Sequence, residues 1–237
     1  MTERTARDNQ TLTAFWNQTF AMQEEEKEAI LKADAVSIED FAPAEKPLKA
    51  AYALGGRRRV LDYGCGAGWA AVAAAKSGCK DVTAADVAPN AAEAARFLAG
   101  LFGVEERLHA VCCSCDWLKT VPAETYDGFF CSNVLDTVPP ETAEEILREA
   151  ARVVTKDAFA VIGLNYYMTP EAAAAEKGLE LSDGCMAYQD GVLRLVSHTD
   201  AEWEAIFAPY FAVERLEYFA WPGEEEETRR LFFLRRN

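Results

Sequence analysis

Between Val60 and Gly78 the chain reads VLDYGCGAGWAAVAAAKSG, with glycines at positions 64, 66 and 68. Glycine loses more conformational freedom on folding than any other residue, so three in five positions need a geometric reason. An apolar run of strand type precedes them, and alanines at helical density follow. A strand that turns sharply into a helix leaves backbone N–H groups and the positive helix end facing whatever binds at the turn. The feature therefore demands strands joined to helices, with a ligand at a strand's carboxyl end.

The rest of the chain keeps this rhythm. RVLDY, DVTAAD, LHAVCCS, YDGFFCSNV and DAFAVIGL read as strands, and WAAVAAAK, PNAAEAARFLAGLF and PPETAEEILREAARVV as the helices between them. Such alternation predicts a parallel sheet covered on both faces. After Ser197 a capping box, Thr199 to Glu202, opens the helix AEWEAIFAPYF. FAVERLEYFAW and TRRLFFLRR then read as a hairpin that adds an antiparallel edge. Residues 165–197 form an insertion at the carboxyl end of the fifth strand. Thr169-Pro170 starts a helix there, and Asp190-Gly191 turns a hairpin between CMAYQ and VLRLV. Residues 1–56 are read as an N-terminal helical lid or cap, and residues 57–237 as the main domain. In the first of these, Leu12, Phe15, Trp16, Thr19 and Phe20 share one helix face, which either closes over a ligand or docks on the sheet.

The net charge of −15 argues against nucleic acid as the main partner and favours a neutral or cationic small molecule. The first ten residues, MTERTARDNQ, lack the apolar core of a secretory signal, and no run approaches a membrane span. The expected location is the cytoplasm. The seven cysteines read as reduced thiols, and the cluster Cys112, Cys113 and Cys115 lacks the spacing of a zinc site, so no metal is expected.

The loop spacing narrows the ligand. A phosphate loop needs GxxxxGK followed by Ser or Thr, which is absent. The dinucleotide fingerprint GxGxxG or GxGxxA fails because its last position is Trp69. Asp86 closes the second strand, where a carboxylate can accept two ribose hydroxyls. Asp62 sits beside the same crevice and can meet a cationic group. A nucleoside with an amino-acid tail uses both acids and needs no diphosphate.

VLDYGCGAG, with Asp86 after the second strand, resembles the Rossmann-like (class I) S-adenosylmethionine-dependent methyltransferases. The resemblance covers Arg58 to Leu164, and the terminal helix and hairpin from Ser197 onward. It implies a three-layer α/β fold with a seven-stranded, mostly parallel sheet and an antiparallel C-terminal hairpin. It also implies methyl transfer from S-adenosyl-L-methionine to a small-molecule acceptor, leaving S-adenosyl-L-homocysteine. Gly64, Cys65, Gly66 and Gly68 would then line the methionine and ribose, Asp62 would hold the amino end, and Asp86 would bind the ribose. Val87 would flank the adenine. Asp116 would meet the adenine amino group or cap a short turn, and Trp117 would cover the ring or pack in the core. Asn133 and Val134 would pass under the methionine. Leu135 and Asp136 would face the substrate, with a helix-capping role as the alternative for Asp136.

No general base is obvious. Tyr166, His198 and Asp136 are the candidates, with surface or structural roles as their alternatives, and Asn165, Tyr166 and Tyr167 are expected at the pocket mouth. Two rivals stand beside the transferase: a non-catalytic sensor or partner subunit of the same fold, and an NAD-dependent oxidoreductase.

Overall fold

A computed structural model describes residues 2–114 and 116–237. Its central sheet has the strand order β3-β2-β1-β4-β5-β10-β9. The five parallel strands are β1 (Val60–Tyr63), β2 (Val82–Asp86), β3 (Leu108–Cys112), β4 (Tyr126–Ser132) and β5 (Val154–Leu164). β9 (Phe211–Phe219) and β10 (Arg229–Arg236) form the C-terminal hairpin, and β10 runs antiparallel to both β5 and β9. This is the Rossmann-like methyltransferase architecture that the sequence implies.

Helices cover both faces because both faces of the strands are apolar. Val60, Val82, Ala84 and Phe130 point to one face. They pack against α3 (Glu45–Ala53), α4 (Trp69–Lys76) and α5 (Pro89–Leu101). Leu61, Ala85, Phe129 and Ile162 point to the other, against α6 (Trp117–Thr120), α7 (Pro140–Val153) and α9 (Asp200–Phe207). Five of the eight residues of α4 are buried alanines, which lets it lie close to the sheet.

The sheet begins to extend earlier than expected at one strand. β5 starts at Val154 rather than Asp157, with an irregular register between Tyr126 and Gly128 of β4. The insertion also differs from the expected helix and hairpin. α8 (Pro170–Ala175) precedes three antiparallel strands, β6 (Leu179–Ser182), β7 (Met186–Gln189) and β8 (Val192–Val196). β6 escapes the sequence because its burial is partial and its alternation short.

The chain begins with α1 (Glu3–Thr19) and α2 (Glu24–Lys32). Leu12 of α1 packs with Met186, Leu193 and Val196 of the insertion. Polar contacts fasten α1 on three sides. Arg4 pairs with Asp183 at 2.6 Å, Asn9 donates to Thr142 of α7 at 2.9 Å, and Asn17 accepts from the Asn90 N–H of α5 at 2.8 Å. Thr19, expected on the packed face, is exposed and its hydroxyl bonds back to the Phe15 carbonyl.

Candidate functional site

The strand order reverses between β1 and β4: the chain runs outward through β2 and β3, then returns to the other side of β1. Ligands of open α/β sheets bind in the crevice this reversal leaves at the strands' carboxyl ends. A cavity of about 370 Å³ lies there, roofed by α1. That volume is within the range of small-molecule sites, roughly 300–1,000 Å³.

The glycine loop forms its floor, and the structure supplies reasons for the glycines. All three adopt positive φ. A Cβ on Gly66 would sit 2.7 Å from the Phe20 ring, so only glycine admits the roof at this height. A Cβ on Gly68 would sit 2.7 Å from the Cβ of Ala95, so its absence lets α5 close on the loop. Gly68 is also the N-cap of α4 and has no side chain to accept the helix's first N–H groups. Asp62 supplies that acceptor from β1: its Oδ2 accepts from the Ala71 N–H at 3.1 Å.

Two acids face one another across this floor. Asp86 Oδ2 accepts from the Gly66 N–H at 3.0 Å and its Oδ1 from the Ala88 N–H at 2.9 Å. These bonds tie the second strand to the glycine loop. Asp62 and Asp86 are 3% and 7% exposed. Burial pushes Asp62 up to about 7, opposed by the Ala71 bond and reinforced by the charge of Asp86. Burial also raises Asp86, against its backbone hydrogen bonds. Neither acid takes part in a salt bridge among the described residues. A buried carboxylate without a cation is costly, so this floor is built to receive positive charge or hydroxyl donors.

Asn133 marks the turn after β4. Its φ of 56° is left-handed, which asparagine tolerates better than most residues. Its N–H donates to the Gly163 carbonyl at 2.9 Å, and the Thr137 hydroxyl donates to its carbonyl at 3.1 Å. Its side-chain Oδ1 is buried without a partner. An orphaned acceptor in a cavity wall is a place for a ligand donor.

Of the residues singled out from sequence, the cavity wall gathers Asp62, Gly64, Cys65, Gly66, Asp86, Val87, Asn133, Val134, Trp16 and Phe20. Others lie elsewhere. Gly68 stands behind the wall, against α5. Asp116 is on the surface, paired with Lys119 at 2.6 Å, and caps no helix with its side chain. Trp117 packs on the α6–α7 side of the core. Phe15 is outside the cavity, under the Arg194 guanidinium at 4.1 Å.

The expected polar mouth after β5 is corrected by the structure. Asp136 is fully buried and lies outside the cavity wall: its Oδ2 accepts from the Asn165 N–H at 2.6 Å and from Nδ2 at 3.0 Å, while its Oδ1 has no partner. It caps no helix either, because Pro139 holds the N-cap position of α7. Leu135 is buried in the α7 core. Asn165 is thereby spent on Asp136 and Arg229. Tyr166 lies against Arg229 and Tyr167 is exposed. His198 lines a separate hollow beside Trp203, and burial lowers its basicity. None of these side chains reaches the cavity wall.

The wall instead includes residues no motif announced. Asn9 and Thr13 come from α1, beside the expected Leu12; Thr137 and Val138 from the segment before α7; Thr142 and Ile146 from the first turns of α7; and Phe41, Pro43 and Trp221 from connecting segments. Ile146 and Thr142 belong to an amphipathic helix face that reads as core from sequence, and Trp221 precedes Pro222-Gly223, a turn signal. Beyond β1, the glycine loop and the ends of β2 and β3, no wall residue among those described is ionisable. No described group of His, Cys, Asp and Glu is placed to hold a metal ion, and no described helix is long and apolar enough to cross a membrane.

Comparison with known proteins agrees with the fold and the loop. Residues 60–157 match the family model for a methyltransferase domain. Magnesium protoporphyrin IX methyltransferase from Synechocystis PCC 6803, solved with bound S-adenosylhomocysteine, superposes with a TM-score of 0.65 at 17% identity, over 97% of this chain and 100% of that one. The 1,6-didemethyltoxoflavin-N1-methyltransferase of Burkholderia thailandensis superposes with a TM-score of 0.59 at 20% identity, over 91% of both chains. The mitomycin 7-O-methyltransferase gives 0.58 at 19% identity, over 81% of this chain, which spans 54% of that protein's length. No curated protein sequence matches the chain. Residues 60–157 thus resemble a methyltransferase domain, and the chain has the Rossmann-like fold of the class I methyltransferases.

Proposed function

We propose that this chain transfers the methyl group of S-adenosylmethionine to a small, uncharged acceptor. The observation that carries the reading is the pair of buried acids without cations, set on a glycine loop beneath a largely apolar cavity. The residues present fit the cofactor. Asp62 matches its ammonium group, and Asp86 keeps lone pairs for ribose hydroxyls beyond its two backbone bonds. Val87 and Cys113 offer an apolar edge to a purine, and the orphaned Asn133 Oδ1 offers an acceptor.

The bound cofactor supplies an activated methyl group. The chain's task is alignment and exclusion of water. Trp16 and Phe20 stack at 5.8 Å in the cavity wall, with the Phe20 ring over Gly66, and cover part of the cavity. The remaining wall offers hydroxyls and amides from Asn9, Thr13, Thr137 and Thr142. With no ionisable side chain there, the wall orients an acceptor that needs no proton removed by the protein. A charged acceptor would be buried unpaired, which favours a neutral molecule over the cationic alternative.

Calorimetric titration with S-adenosylhomocysteine, with NAD in parallel, tests the assignment. Micromolar or tighter binding of the first alone is expected. Binding of NAD, or of neither, refutes it. Tight binding without methyl transfer to any acceptor in a broad screen would favour the non-catalytic reading.

A further inference from the structure

Trp221 lies in the cavity wall, and its indole Nε1–H is buried without a hydrogen-bond partner. A buried donor left unpaired calls for an explanation, and a ligand is one. Its setting shows that the ring is held in place. Pro222 and Gly223 make a tight turn in which the Glu224 N–H donates to the Trp221 carbonyl at 3.0 Å, and Gly223 has the positive φ of 91° that such a turn needs. The Glu224 carboxylate accepts from the Trp221 N–H at 2.8 Å. The Arg229 guanidinium lies 3.3 Å from the ring centroid, and Glu224 neutralises it through Nε at 2.9 Å and Nη2 at 2.6 Å. An indole fixed by a turn on one side and a neutralised cation on the other presents a rigid edge.

The sheet decides which ligand meets that edge. Arg230 pairs with Leu164, so the β9–β10 connection sits at the carboxyl end of β5. β10 is three strands from β1 and four from β2. At roughly 4.8 Å per strand, Trp221 enters from about 14 Å to one side of the β1 loop. The acids and glycines proposed for the cofactor come from β1 and β2. Trp221 therefore flanks the part of the cavity beyond β4.

Resting on the transferase reading above, we propose that Trp221 selects the methyl acceptor, donating its indole N–H to an oxygen or nitrogen lone pair on an uncharged, ring-containing molecule. Phe41, Pro43 and Phe130 supply flat apolar surface in the same wall, and beyond β1, the glycine loop and the ends of β2 and β3 no described wall residue is ionisable.

The test uses full-length protein saturated with S-adenosylhomocysteine and four single-ring probes: acetophenone, ethylbenzene, benzoate and benzylammonium. Binding is followed by NMR of the ¹⁵N-labelled indoles, with the Trp221 signal assigned through Trp221→Phe. Acetophenone should bind about fivefold or more tightly than ethylbenzene, and both charged probes at least about tenfold more weakly than acetophenone. Acetophenone should shift the Trp221 indole signal. Trp221→Phe should erase the preference over ethylbenzene while its S-adenosylhomocysteine affinity stays within about twofold of the parent. Equal binding of the two neutral probes, preference for a charged one, no probe binding, or an equal loss of cofactor affinity in Trp221→Phe would overturn the proposal. Failure of the parent protein to bind S-adenosylhomocysteine would instead strike the transferase reading beneath it.

Discussion

On the proposed reading Asp62 should make cofactor affinity depend on pH, with a sign that its burial sets. Its carboxyl is pushed up to about 7 by burial, so an ammonium ligand finds it largely neutral under mildly acidic conditions. An acid of that value is about 9% ionised at pH 6 and about 91% at pH 8. Only the ionised form pairs with the ligand, so the Kd for S-adenosylhomocysteine should fall about tenfold between those values. The ligand's own amino group, like that of free amino acids, titrates above this window. Both histidines lie outside the cavity wall. Binding at pH 6 should release close to one proton, readable by calorimetry in two buffers of different ionisation enthalpy. Asp62→Asn keeps an oxygen for the Ala71 N–H but loses the charge. It should bind more weakly at pH 8 and show no slope. The empty protein must show the converse effect on stability. A folded value near 7 against 3.8 unfolded means that protonated Asp62 favours the fold. That contribution is complete below pH 3.8 and is lost as pH rises through 7, at most about 4 kcal/mol. A Kd that is flat from pH 6 to 8, with no proton released, would refute the assignment of Asp62 to the ammonium group.

Three further outcomes follow from the same geometry. Gly66→Ala should lose about 1–3 kcal/mol in urea unfolding, from a left-handed φ and the 2.7 Å approach to Phe20; the same change in a Phe20→Ala background should cost less, and strict additivity would deny the contact. Asp86→Asn sets an amide NH₂ against the Gly66 or Ala88 N–H and removes a ribose acceptor, so S-adenosylhomocysteine affinity should fall on the order of 10- to 100-fold; unchanged calorimetric affinity would remove Asp86 from the site. Asp136→Ala should cost about 1–3 kcal/mol by leaving the Asn165 N–H groups unpaired, with S-adenosylhomocysteine affinity unchanged; a binding loss without a stability loss would return Asp136 to the cavity.

The sequence by itself determined the layered sheet, its order of strands and helices, and the acid–glycine floor. These are local signals: period, turn chemistry, and acids at fixed offsets from a strand end. Asp62, Gly66 and Asp86 meet because one strand–turn–helix unit and its neighbour bring them together, and short-range pattern is enough to find such units. The other half of the cavity was decided by tertiary packing. Trp221 comes from a hairpin turn more than 150 positions from Asp62 in the chain, and α1 reaches the site through contacts with α5, α7 and the insertion. Thr142 and Ile146 carry the pattern of a buried helix face, and nothing local says that part of that face borders a cavity. Asp136 and Asn165 failed in the opposite direction. Their position after strands β4 and β5 suggested exposure to a ligand, but the two side chains bond each other through Asp136 Oδ2 beneath the surface. Local sequence sets the backbone that carries a polar group. Which neighbour quenches that group depends on elements distant in the chain, and only their packing reveals it.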